Sequence, residues 1–187
     1  MTATQWRVKG VLFVDYVRML RSLKGVDWSA HLAPADLAYL RGRIEPDAWY
    51  PMATFEQLGN LVLRYIARSD LRLVRAWGRT SVDLLRAAQP MLLAPDDPIE
   101  SLRRFKVLRS TYFDFDALEL PMLHEGEAQV VVRYHMGMPA EEAATVQTLG
   151  FFERLLEVAG ARGVEGELRD KSWAGAPRTL LTLHWTP

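Results

Sequence analysis

The sequence predicts an α+β fold, with an N-terminal helical lobe followed by a four-stranded antiparallel sheet that carries one packed helix. Three observations lead there. Between residues 10 and 110, apolar side chains recur at helical spacing, punctuated by helix-start and helix-stop residues. After Ala117 the period drops to two, with Ala128, Val130, Val132, Tyr134 and Met136 alternating against Gln129, Val131, Arg133 and His135. One long amphipathic helix, residues 140–160, then separates these strands from two more.

Each element has its own signal. Val11, Val14, Tyr16, Val17 and Leu20 set a first helix through Leu23, which Lys24-Gly25 stops. Pro34 opens a second, through Arg43, because the amide that proline lacks has no partner in a first turn. Pro51 disfavours helix at Tyr50, so Trp49-Tyr50-Pro51 is extended. Thr54 caps a third helix, with Gln57 completing a capping box. Ser69 or Asp70 caps a fourth, to about Ala88. Gln89-Pro90 and Pro95-Asp96-Asp97-Pro98 break the chain, and residues 99–109 form a short fifth helix behind the acids Asp96, Asp97 and Glu100.

The strands follow. Residues 117–122 read as one whose Pro121 places it on a sheet edge, since proline cannot donate to a ladder. Residues 124–127 turn the chain into the alternating strand. Leu149, Phe152, Leu155, Leu156 and Ala159 form the core stripe of the long helix. Residues 164–173 and 179–185 form a closing hairpin across Ala174-Gly175-Ala176-Pro177. A single domain over 1–187 is expected, its helical lobe reaching about 110 and its sheet-bearing part covering 111–187.

Composition narrows the chemistry. The chain is 49% hydrophobic with six Trp, six Tyr and seven Phe, enough for a sizeable core. Cysteine is absent, which removes disulfides, thiolate metal sites and cysteine nucleophiles together. Its 23 basic and 23 acidic residues cancel, so no global field draws the chain to nucleic acid or to an anionic membrane. No apolar run is long enough to span a bilayer, and Asp15 and Arg18 break the segment a signal peptide would need. A cytoplasmic location is expected.

The order of Val8-Lys9-Gly10, Trp28, Trp49-Tyr50-Pro51 and Trp77-Gly78 matters here, together with the strand and helix from Val130 to Ala161 with Gly150 near the helix middle. In these the chain resembles heme-nitric-oxide/oxygen-binding (H-NOX) domains and vinyl-reductase-type ligand-binding domains. It is also similar to a paralogous myxobacterial family of about this length. The resemblance implies a cavity between helices and sheet, and its departures bear on the cofactor. Heme-binding relatives carry Tyr-x-Ser-x-Arg, where this chain has Tyr134, Met136 and Met138. Those relatives ligate iron through an upstream helical His, and residues 101–112 contain none. Where the vinyl-reductase-type relatives place cysteines, Ser172, Trp173 and Thr179 stand. No cofactor and no metal are expected.

The candidate chemistry is sparse. His31, His124, His135 and His184 stand apart from one another and from carboxylates at ligand spacing, which favours structural or surface roles over metal binding. Asp114 and Asp116 share a side if extended, yet acid–base work needs a cleft that shifts one pKa. Ser81 has no nucleophile elbow behind it. Arg72, Arg75, Arg79 and Arg86 recur along the fourth helix, as a partner surface that grips carboxylates or phosphates or as a solvated face. A pocket kept from the resemblance would be lined by Leu73, Trp77, Leu108, Tyr112, Tyr134, Met136 and Leu149.

The expected function is non-enzymatic: a signalling or regulatory module that binds a small apolar ligand or a protein partner, a second copy included. One alternative is a heme-based gas sensor with a non-standard ligand such as His124 or His135. The other is a small-molecule enzyme built on Asp114 and Asp116.

Overall fold

The computed structural model describes residues 5–186. Two short strands, β1 (Arg7–Lys9) and β2 (Trp49–Pro51), pair antiparallel with Val8 opposite Tyr50. Between them run α1 (Gly10–Ser22) and α2 (Pro34–Arg41). After them come α3 (Met52–Tyr65), α4 (Leu71–Ala88) and α5 (Pro98–Ser110). The chain then enters the sheet through a hairpin of β3 (Leu118–His124) and β4 (Glu127–Val132). Helix α6 (Ala140–Val158) crosses over, and β5 (Arg162–Asp170) and β6 (Thr179–Thr186) close the sheet. The order is β3-β4-β6-β5, antiparallel throughout, so the fold class is the one the periodicities predict.

Local chemistry explains the ends of the elements. Asp70 Oδ1 accepts from the Arg72 amide at 2.9 Å and caps α4, while Asp97 Oδ1 does the same for Glu100 and α5 at 2.9 Å. Strand β3, with Pro121, is an edge strand. The main apolar cluster runs from Val8 and Phe13 in the helical lobe to Leu181 and Leu183 in β6, and α6 supplies Phe152, Leu155 and Leu156 to it, while Leu63, Ala67 and Val74 form a small second one. Burying side chains of that size is worth about 1.5–3 kcal/mol each.

Helices α4 and α6 touch backbone to backbone. A Cβ on Gly78 would lie 1.9 Å from the Gln147 carbonyl oxygen, and one on Gly150 would lie 2.1 Å from that of Arg75. Only hydrogen at both positions lets the helices cross this closely. Charged side chains clasp the same crossing. Arg75 donates to Glu153 with Nε–Oε2 at 3.0 Å, Arg79 to both Glu157 oxygens at 2.7 Å, and Arg154 to Asp83 at 3.2 Å.

Three local expectations are corrected, and one strand had no signal in the sequence. Thr54 is no cap: α3 begins at Met52, and the buried Thr54 hydroxyl instead donates to Asp36 on α2 at 2.5 Å. Strand β1 carried no periodicity signal, because three residues are too few to show a period. It exists because Val8 is held between Tyr50 on one side and Phe113 on the other. The alternating strand ends at Val132 rather than Met136. The Arg133 amide still reaches the Ala117 carbonyl at 2.9 Å, but residues 134–137 leave the ladder, with His135 at φ 56°, and the Glu141 carboxylate takes the amides of Tyr134 and Met136 instead. The second helix ends at Arg41, two residues before the predicted Arg43.

Candidate functional site: an aromatic cavity among the helices

A cavity of about 340 Å³ lies between α1, α4, α5 and α6, closed on one side by the chain that follows β4. Eight rings stand in its walls: Tyr16 from α1, Phe55 from α3, Trp77 from α4, Phe105 from α5, Phe151 from α6, and Tyr112, Phe113 and Tyr134 from the connections, with Leu12, Leu85 and Ala144 among the aliphatic side chains between them. The rings hold one another in place. Tyr16 stacks on Phe55 with centroids 4.7 Å apart, and Phe105 on Phe151 at 4.3 Å. Val11 and the exposed Leu84 stand at the rim.

The polar groups in this lining are few. Tyr134 is fully buried, and its hydroxyl sits 2.6 Å from Thr148 Oγ1 and accepts from Arg109 Nη2 at 3.1 Å. The Arg109 guanidinium lies over the rings of Phe113, Tyr134 and Tyr112, at 4.7, 5.7 and 5.9 Å from their centroids. Among the described residues it has no carboxylate within ion-pair reach, and its Nε is buried with no partner. Ser81 Oγ donates to its own helix at the Trp77 carbonyl, 2.8 Å away, and is spoken for.

Several groups here are shifted from their ordinary pKa. Burial, with Tyr134 adding to it, pushes the Tyr16 phenol up to about 12 despite the opposing pull of Arg109. Burial also raises Tyr112, again against Arg109. Asp15, at the mouth, is raised by burial and lowered in part by Arg18. Behind the wall, burial raises Glu141. The amides of Met136 and Tyr134 oppose that rise by donating to its carboxylate at 2.9 and 3.4 Å. Glu141 thereby fixes the segment that presents Tyr134 and Met136.

Of the pocket residues named from sequence, Trp77, Tyr112, Tyr134 and Met136 line this cavity. Leu73, Leu108 and Leu149 do not: Leu73 is exposed, Leu108 is half-buried beside the core, and Leu149 packs toward Gly166 of β5. The reason on α4 is where the helix meets the cavity. Trp77, Gly78, Ser81, Leu84 and Leu85 line it, and Leu73 lies one turn before the first of them. Arg109 could have been read as a site residue from Phe105, Arg109, Tyr112 and Phe113, which put a cation on an aromatic helical stripe.

The arginine stripe is corrected as a free face. Arg75 and Arg79 turn inward onto Glu153 and Glu157 of α6, because the close crossing brings those carboxylates alongside. Arg72 pairs with the helix cap Asp70, and Arg86 is exposed. Asp114 accepts from the Arg7 amide at 2.7 Å and from its Nε at 2.8 Å, so it ties down β1, while Asp116 is exposed. The histidines are spread apart. His31 bonds the Tyr65 hydroxyl at 2.7 Å, His135 stacks on Trp6 at 5.1 Å, and His124 and His184 are exposed. None of the four lines the cavity. No group of three or more metal-ligating side chains occurs among the described residues.

No family model and no curated protein matches the sequence. Solved structures do. The H-NOX protein of S. oneidensis in its Fe(II)NO state is 10% identical with a TM-score of 0.62, covering 96% of this chain and 99% of that one. The Fe(II) unliganded H-NOX protein of K. algicida is 12% identical at 0.60, covering 96% and 97%. A mutant of the T. tengcongensis H-NOX is 15% identical at 0.60, covering 96% and 98%. The fold is the H-NOX fold. At these identities the likeness extends to the H-NOX architecture over nearly the whole chain and stops short of its chemistry. No helix among the described residues is long and apolar enough to cross a membrane.

Proposed function

We propose that this chain is a non-catalytic signalling or regulatory module that binds a small, largely apolar organic molecule in the cavity among the helices of an H-NOX scaffold and does not hold heme. The observation that carries the reading is the cavity lining, which includes eight aromatic rings, two thioethers and five aliphatic side chains and no imidazole. Its volume of about 340 Å³ falls within the range of small-molecule pockets, roughly 300–1,000 Å³.

Heme does not fit the donors present. Iron needs an axial anchor, and His, Cys, Met/His or Tyr are the side chains that provide one. Tyr16 and Tyr112 are disfavoured as phenolates by burial, and the Tyr134 oxygen is engaged by Thr148 and Arg109. Met19 and Met136 are left as neutral thioethers with no partnering imidazole. An enzyme built on Asp114 and Asp116 lacks its cleft, since Asp114 is spent on Arg7. In this reading, ligand occupancy is passed on by contact with a protein partner.

Hemin reconstitution tests this. After incubation with excess hemin and gel filtration, the protein is expected to elute without a Soret band. A sharp Soret band at one heme per chain would overturn the heme-free reading.

A further inference from the structure

We propose that the cavity selects an aromatic carboxylate, with Arg109 as the residue that receives its charge. This inference deepens the ligand-binding reading above and rests on it. The argument begins with an imbalance. A guanidinium carries five N–H donors in a planar fork, and it matches a carboxylate with two parallel hydrogen bonds. Arg109 makes one hydrogen bond to a protein acceptor, the Tyr134 hydroxyl, and its Nε is buried without any. Arg75, Arg79 and Arg154 at the α4–α6 crossing are each a third or more exposed and still have a carboxylate, whereas the half-buried Arg109, with its Nε covered, has none among the described residues. The missing acceptor therefore belongs on the cavity side.

The surroundings fix the rest of the ligand. The Phe113 ring lies 4.7 Å from the guanidinium and holds it against the aromatic wall. Tyr134, donated to by Arg109 and close to Thr148, adds a hydroxyl beside the same spot. Beyond this end the lining is chiefly rings, the Met19 and Met136 thioethers and five aliphatic side chains, with Ser81 and Gln147 as polar exceptions, and rings on facing walls favour a flat, largely apolar body. Asp15, the one acid of the lining, has a side chain 64% exposed at the mouth and faces Arg18. Water screens its charge, and the better covered charge of the lining is that of the half-buried Arg109, whose Nε is out of reach of solvent. An acid enters with its carboxylate inward, and an amine of the same shape does not.

Three probes of similar shape test this by calorimetry on the full chain: 2-naphthoate, 2-naphthol and 2-naphthylmethylammonium. The expected result is one naphthoate per chain, bound about tenfold or more tighter than naphthol, with the ammonium weakest. Arg109→Met keeps much of the apolar stem, and it should lower naphthoate to the level of naphthol while leaving naphthol unchanged. If that variant unfolds, Arg109→Lys keeps the charge but loses the fork. It should still weaken naphthoate selectively. Equal binding of naphthoate and naphthol to the unaltered chain, or naphthoate binding untouched in the Arg109 variants, overturns the carboxylate assignment and leaves the cavity reading standing. Binding of neither acid nor alcohol overturns both.

Discussion

A single unpaired guanidinium separates an apolar void from a binding site with a preference, and Arg109 owes its position to ordinary residues around it. Phe113 supports it, and the Tyr134 hydroxyl accepts one of its hydrogen bonds. Glu141 holds the Tyr134 amide and, two residues on, that of Met136. At the same scale, two hydrogen atoms decide how close α4 and α6 lie. Gly150→Ala places a methyl 2.1 Å from the Arg75 carbonyl oxygen, and backbone cannot swing away as a side-chain tip does. The expected cost is about 1–3 kcal/mol, the range for forced overpacking. Urea unfolding of Gly150→Ala measures it, and an unchanged midpoint would show that the helices separate without resistance.

Among the elements, the α4–α6 crossing holds the helical lobe to the sheet-bearing half, and its charges make it sensitive to acid. Burial pulls the Glu157 carboxyl upward, but Arg79 and Arg154 outweigh it and hold its pKa below the ordinary value. A carboxylate with a depressed folded pKa stabilises the fold above its unfolded pKa, and that contribution is lost as pH falls through the folded value. Glu157→Gln should therefore be less stable than the unaltered chain at neutral pH, by about 1 kcal/mol for a partly exposed pair. The gap should close toward acid. Thermal unfolding across a pH series from neutral into the acid range reads it, and a gap that stays constant contradicts the clasp. These carboxylates also explain why the arginine stripe misled. Spacing placed Arg72, Arg75, Arg79 and Arg86 on one helix, but which of them meets an acid depends on Glu153 and Glu157, 78 residues beyond Arg75 and Arg79 in the chain. Strand β1 was illegible for a related reason, its three residues being ordered by Tyr50 and Phe113. By contrast, Asp70, Asp97, Pro121 and the alternation through Val132 act locally, and each could be read directly.

Over the whole molecule, an H-NOX architecture is kept at 10–15% identity to its solved counterparts, while the lining of its cavity carries no imidazole. Only part of that lining was visible beforehand. Trp77, Tyr112, Tyr134 and Met136 follow from the resemblance, whereas Tyr16, Phe55, Phe105 and Phe151 come together only when α1, α3, α5 and α6 are packed. The central claim is that this scaffold keeps an open cavity for an organic ligand without iron. An electron-density map of the purified, unreconstituted protein tests it most directly. The account predicts an open cavity near 340 Å³ with the Arg109 guanidinium on its wall, empty or holding an organic molecule whose acidic end meets that side chain. Side chains collapsed into the space, or a porphyrin with its iron ligated there, would contradict it.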